Sequence, residues 1–346
     1  MGKKSISLQM ILLFSLCFQQ ALFAAEKPIG LEFSSVFQST APVFKTLAEM
    51  GDVIGERSAG RVKITIYPEG TLTSVPQTYD AVVKGIADIG HGAFVFNRGR
   101  FPLMEVLDLP LGLKSSTEAT KLGNAFLKKF QPKELNDVKV LLIMGQPPAM
   151  LQTSKPVRSF TDLRGLKTRV GGGTVADIVS ALGAVPVAMS MGDSYDAMRK
   201  GIIQAVMSAY EPLENRNLAD VVKYSVENYS TANGVTGFVV MNKAKWNSLP
   251  PDIQTIIQKT ADEYTEKVSR AWDDQEQHAK QYAMKKGVEI VRLPAAEQAK
   301  ALSAIGPLYD KYVKDKTAMG LPAKEALAFC QEYVKNLHAQ ASGARQ

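Results

Sequence analysis

Along the chain, short apolar runs alternate with stretches whose apolar residues recur every third or fourth position. Residues 31–36 read as a strand. A helix then opens at Ser39-Thr40-Ala41-Pro42, where a hydroxyl can cap the first turn and proline suits it. Val43, Phe44, Leu47, Met50 and Ile54 fall on one face of that helix, and Gly60 ends it. Residues 61–67 alternate polar and apolar as a half-buried strand does. A helix over 76–84, a strand over 86–90, a helix from about 116 and a strand over 138–144 follow. The pattern then restarts, with a strand over 166–170, helices over 174–182 and 193–200, and strands over 202–207 and 235–241. Strands separated by helices predict a mainly parallel sheet covered on both faces. No sequence repeat relates the two halves.

The clearest single element is residues 250–286. Ile253, Ile257, Ala261, Tyr264, Val268 and Trp272 begin a stripe that continues through Ala279 and Ala283. Pro250-Pro251 starts it and Gly287 stops it. A helix of that length runs about 54 Å, more than one compact α/β domain needs. It reads as a helix spanning and coupling two domains; the rival is a coiled-coil arm, against which the stripe is too irregular for strict heptads.

The first 25 residues have a different character. Lys3 and Lys4 precede a mostly apolar run over 6–18 and a small-residue end at Ala24-Ala25. These are the three parts of a secretory signal peptide, with cleavage expected after Ala24 or Ala25. The run is too short for a membrane span, which takes about 20 apolar residues. A lipoprotein signal at Cys17 is disfavoured, because Leu16 stands where a small residue is needed. A periplasmic protein is therefore expected. At 346 residues the length suggests about two domains.

Composition removes several function classes. The only cysteines are Cys17 and Cys330, so a disulfide scaffold and a four-cysteine zinc site are excluded. Cys330 lies at helical spacing among apolar residues and reads as a buried thiol. The net charge of +7 is dispersed, with no concentrated basic patch, so nucleic acid is not an expected partner. There is no Gly-x-Ser-x-Gly elbow, His-Glu-x-x-His pair or phosphate loop, so no enzyme activity, cofactor or metal is expected. One segment does suggest anion binding. Gly171-Gly172-Gly173-Thr174 leads from a strand into a helix, where backbone N–H groups are free, and Arg169 stands two residues earlier. A guanidinium can take a carboxylate through two parallel hydrogen bonds, and ligands of open α/β sheets sit beyond the strands' carboxyl ends. The alternatives are a plain tight turn and a surface ion pair.

Residues 162–170 (Asp-Leu-Arg-Gly-Leu-Lys-Thr-Arg-Val), 182–187 (Leu-Gly-Ala-Val-Pro-Val) and 195–202 (Tyr-Asp-Ala-Met-Arg-Lys-Gly-Ile) resemble successive blocks of the TRAP-transporter solute-binding proteins of the C4-dicarboxylate-binding, DctP-like type. Residues 57–68, 99–103, 107–110 and the Met241-Asn242, Trp246, Leu249-Pro250 set are similar too, in the same order over nearly the whole chain. The resemblance implies a two-domain, periplasmic-binding-protein-like α/β fold with a hinge and a long spanning helix. It implies a receptor that hands an organic acid to TRAP membrane subunits without catalysis. The carboxylate-anchoring role falls on Arg169. The domains are then expected at 26–149 plus 237–262 and at 150–236 plus 263–346, in a monomer.

The sequence departs from its relatives where ligand identity is decided. Gln204-Ala205 replaces an Asp-Gly pair, and Ser208 falls at an Asn position. Ala149 stands where sialic-acid-binding relatives carry a second arginine, and Ala93 and Phe96 replace their charged sugar contacts. The remaining pocket candidates are Phe37, His91, Phe94, Met150, Met191, Met207, Ser208 and Tyr210, beside Gly171 and Gly172. They are mostly apolar or aromatic, which favours a monocarboxylate with an apolar or aromatic body. Arg98 or Arg100 could supply a second charge and keep a C4-dicarboxylate open. An exported enzyme acting on small acids is the rival class.

Overall fold

The computed structural model describes residues 27–97 and 99–343. The leader, its cleavage site, Cys17 and Arg98 therefore lie outside the described residues. Two mixed sheets form. The first holds β1 (Ile29–Ser35), β2 (Val62–Tyr67), β3 (Ile89–Ala93), β4 (Val138–Gly145) and β10 (Thr236–Asn242), in the order β2-β1-β3-β10-β4. The second holds β5 (Met150–Thr153), β6 (Lys167–Val170), β7 (Val185–Ala188), β8 (Ala205–Ser208), β9 (Tyr224–Glu227) and β11 (Glu289–Arg292), in the order β11-β9-β5-β8-β6-β7.

The strand pairings are mainly parallel, as the alternation of strands and helices suggested, but each sheet holds one antiparallel strand. In the first sheet β10 runs antiparallel to β3 and β4; in the second β5 runs antiparallel to β8 and β9. The cause is connectivity. The chain leaves β4 for β5 and returns from β9 to β10, so β5 and β10 start at the junction while their neighbours end there. The two crossovers are hydrogen-bonded to each other, Gln146 N–H to Val235 O at 2.8 Å and Ala149 N–H to Asn233 O at 3.1 Å. At the end of β4, a Cβ on Gly145 would lie 2.2 Å from that of Ala119, so only glycine lets β4 reach the junction beneath its helix.

Helices α1 (Pro42–Arg57), α2 (Thr78–Val83), α3 (Ser116–Phe130) and α7 (Lys243–Ser248) belong to the first sheet. Helices α4 (Thr174–Ala181), α5 (Ser194–Arg199) and α6 (Glu211–Asn215) belong to the second. The expected hydroxyl cap of α1 is absent: Ala41 is the capping residue and no side chain bonds there. The long helix α8 (Pro251–Lys285) has 35 residues. Ile253, Ile257, Ala261 and Trp272 pack with Leu47 and Met50 of α1 on the first sheet. Ala279 and Ala283 pack with Leu213 and Ile203 on the second. The single stripe thus serves both sheets.

Helix α9 (Ala295–Ala318) crosses back. Its Ala301 and Ile305 pack in the second sheet's core, and Tyr312 packs in the first, donating its hydroxyl to Leu103 O at 3.0 Å. Helix α10 (Ala323–Gly343) rests on α3, with Cys330 fully buried among Phe126, Leu122 and Val334. The C-terminal residues therefore sit against the first sheet, not with the second sheet where the expected boundary at 263–346 put them. The apolar face of α3 left open by β4 and β10 is what they cover.

Asp108 shows how tightly the junction is sealed. It is buried, Oδ1 accepts the Thr236 N–H at 3.1 Å, and burial pushes its carboxyl up to about 7. A raised carboxyl contributes stability that is complete below its ordinary value and is lost as pH rises through about 7. Asp108→Asn should raise the melting temperature by about 2 °C at pH 8 and change it little at pH 4, read by circular dichroism. An equal effect at both pH values would refute the burial argument.

Candidate functional site

Every strand but β5 and β10 ends at the junction or lies beside one that does, so the chemistry collects at their carboxyl ends. On the second sheet, β6 brings Arg169 there. Its neighbours in register are Val187 and Val206, and it is only 8% exposed. Nε donates to Met189 O at 3.0 Å, which fixes the guanidinium plane. Among the described residues no carboxylate pairs with it, and no other arginine or lysine is buried to this degree. Burial alone lowers its pKa to about 10, so it stays charged at neutral pH. The surface ion-pair alternative is thereby removed.

The glycine turn follows at once. Gly172 and Gly173 have φ of 106° and 64°, values that favour glycine. Gly173 caps α4 with no side chain, leaving first-turn N–H groups without a side-chain acceptor. A Cβ on Gly173 would come within 3.2 Å of Val95 Cγ2, so the turn lies directly against the first sheet's loop after β3. Phe94 and Val95 from one sheet and Gly173, Thr174 and Asp177 from the other border a cavity of about 320 Å³.

On the first sheet, His91 and Phe37 form one unit. His91 is 2% exposed, its Nδ1 shares a 3.0 Å hydrogen bond with Ser35 Oγ, and burial lowers its pKa to about 3. It is a neutral imidazole at any physiological pH. Phe37 lies 4.8 Å from the His91 ring and edge-on to Trp272 of α8 at 5.0 Å. Phe37 also borders an open cleft of about 720 Å³ between the sheets, with Glu69 on one bank and Glu211 and Arg216 on the other. Arg216 reaches across to Glu69 at 3.8 Å.

The other expected residues have mixed placements. Phe94 packs on Phe101 and Phe238 in the first core as well as bordering the cavity. Met150 and Met207 lie in the second sheet's apolar clusters and flank an interior void of about 40 Å³. Met191 is half-buried against the Tyr210 cluster. The Ser208 hydroxyl donates to Ala209 O at 2.9 Å. The Tyr210 hydroxyl is spent inside the second sheet: it donates to Glu227 Oε1 at 3.0 Å and accepts from Ser225 at 2.9 Å. Glu227 in turn holds Lys280 and Arg292. Arg100 is bridged to Asp80 and Asp137 and stacks on Tyr79, so it is committed to the surface of the first sheet. The second-charge role considered for Arg98 falls outside the described residues.

Ser35 and Trp272, which set the His91–Phe37 unit, and Asp273 and Glu276 on α8 were not among the sequence candidates. A carboxylate pair three apart on a helix reads as a solvated face, and only partners from other segments show otherwise.

Two mixed sheets joined by paired crossovers, with a long helix packed on both, are the plan of the family to which the comparisons assign the chain. Residues 33–316 match the family described as bacterial extracellular solute-binding protein, family 7, the DctP family, and the chain belongs to it. It is a solute-binding protein of the TRAP type, a class that takes organic acids and works with membrane subunits. The chain is similar to the C4-dicarboxylate-binding periplasmic protein DctP of Rhodobacter capsulatus, at 24% identity over 88% of this chain and 92% of that one. Among solved structures it matches a TRAP periplasmic solute-binding protein of Desulfovibrio salexigens, with a TM-score of 0.83 at 29% identity over 89% and 96% of the two chains. It also matches one of Bordetella bronchiseptica with bound (R)- and (S)-mandelate, with a TM-score of 0.80 at 26% identity over 90% and 100%.

A buried charge without a partner costs several kcal/mol. Arg169→Met should therefore raise the melting temperature of the ligand-free protein by a few degrees, as calorimetry would read it. A lower melting temperature would mean that the guanidinium has a stabilising role of its own.

Proposed function

We propose that this chain is an exported periplasmic receptor, monomeric, that holds one organic monocarboxylate with an apolar or aromatic body and delivers it to TRAP membrane subunits. The observation that carries the reading is Arg169: a buried, oriented guanidinium with no protein carboxylate, beside a glycine turn that opens a helix with no side-chain cap. A carboxylate of the ligand completes both sets of donors. The 26–149 plus 237–262 and 150–236 plus 263–346 division, amended for the C-terminal helix, gives two lobes that close around the crossovers.

The lean to one carboxylate rests on what faces the ligand from the first sheet. His91 is neutral, Phe37 and Phe94 are apolar, and Arg100 is paired elsewhere. The mandelate held by the Bordetella relative is an acid of this kind. A C4-dicarboxylate is the second reading, favoured by the Rhodobacter relative.

Ligands should be screened by thermal shift on protein unfolded and refolded to strip any carried-over acid. The panel is aromatic acids, keto acids, dicarboxylates, uronates and neutral sugars. A ligand at a hundredfold excess over its Kd stabilises by about 2.7 kcal/mol. The expected result is a shift confined to monocarboxylates. Shifts with dicarboxylates alone would select the second reading, and shifts with neutral sugars would overturn the arginine clamp. For whichever acid binds, Arg169→Ala should weaken affinity at least about a hundredfold, and Arg169→Lys about tenfold, because lysine keeps the charge but not the fork.

A further inference from the structure

Helix α8 carries two carboxylates one turn apart, and each closes the N-terminus of a different helix. Asp273 accepts the Ser116 N–H at 2.6 Å, the Thr117 N–H at 3.0 Å and the Thr117 hydroxyl at 2.6 Å, all at the start of α3. Glu276 accepts the Tyr210 N–H at 2.7 Å and the Glu211 N–H at 2.9 Å, at the start of α6. Backbone N–H groups at a helix start carry partial positive charge, so a carboxylate there is both a cap and a charge complement.

The two capped helices belong to opposite sides of the cleft. Ser116 Oγ donates to Gly145 O at 2.5 Å, the last residue of β4 before the chain crosses to the second sheet. Helix α6 follows β8 after two residues, and β8 pairs with β6, the strand of Arg169. A single turn of α8 therefore holds the end of the first sheet and the corner beside the anion site of the second.

We propose that this turn is the fulcrum of lobe closure: Asp273 and Glu276 are positioning residues that hold α3 and α6 at a set angle, and uptake of a proton by Glu276 releases the α6 side. The inference rests on the reading of the chain as a receptor whose lobes close over an anion. A carboxylate accepts two N–H groups with its two oxygens, whereas a carboxylic acid turns one oxygen into a donor. The groups facing Glu276 favour that exchange near neutrality. Glu211 on α6 and Asp273 on its own helix are like charges, and Tyr229 of the β9–β10 crossover is adjacent. The nearby cations are engaged elsewhere: Arg216 faces Glu211, His278 bonds Glu214 at 2.9 Å, and Lys280 is held by Glu227. Burial, the largest cause, raises the Glu276 carboxyl to about 7 against the pull of its two N–H donors.

The test uses the ligand-free chain without residues 1–25, which removes Cys17. Spin labels at Lys63→Cys on β2 and Lys200→Cys at the end of α5, both exposed, report the interlobe distance by pulsed EPR; Cys330 is buried and stays unlabelled. Amide exchange of Tyr210, Glu211, Ser116 and Thr117 is followed in parallel. From pH 8 to pH 6, protection at Tyr210 and Glu211 should fall about tenfold beyond the intrinsic rate change, while Ser116 and Thr117 hold. The distance distribution should broaden over the same range. Glu276→Gln should show the pH 6 behaviour at both pH values, and Asp273→Asn should expose Ser116 and Thr117. Identical exchange and distances at pH 8 and pH 6 in the unsubstituted chain would overturn the proposal, even if a variant fails to fold. None of these readouts needs a ligand, so a failed ligand screen would count against the receptor reading alone.

Discussion

A helix of 35 residues is about 52 Å long, and its apolar stripe has to be buried along all of it. Five strands spaced about 4.8 Å apart cover less than half that length. No single sheet of this fold can seal α8. The helix is stable only when two sheets lie side by side beneath it, and that condition organises the rest. Residues from Ile253 to Trp272 take the first sheet, and Ala279 and Ala283 take the second. The small alanines allow the close approach of α6, and the bulky Trp272 stands at the changeover beside Phe37.

Side-by-side sheets on one helix leave a seam, and the chain crosses it at paired segments between β4 and β5 and between β9 and β10. Those crossovers force one strand in each sheet to run against the others. The remaining strands deliver their carboxyl ends to the seam. The glycine turn after β6 meets the loop after β3 there for that reason, with Gly173 against Val95 and Phe94 beside them. Helix α9 and the latch between Glu69 and Arg216 cross the same seam at its edges.

The two sides of the seam are electrostatically unequal. The second sheet brings a guanidinium that lacks a protein carboxylate among the described residues, while the first brings a histidine that burial keeps neutral. Membership in the DctP family accounts for the plan.

The sequence by itself determined the local elements and the family. Helix α8 was legible to within a residue at each end, because prolines, a glycine and an unbroken stripe are local signals. Strands β2 and β4 and helix α4 were legible for the same reason, and the four-residue β6 from the glycine turn that follows it. The four-residue strands β5, β9 and β11, with no glycine directly after them, were not, since a run that short has no period to detect. Strand direction at β5 and β10 was not readable either, because it depends on which sheet the chain has just left. Only the tertiary structure decided that Arg169 has no carboxylate partner, that the Tyr210 hydroxyl is consumed by Glu227, and that Asp273 and Glu276 cap helices rather than face water. These are facts about partners distant in sequence. Burial and pairing arise when segments meet, and no local pattern of residues carries them.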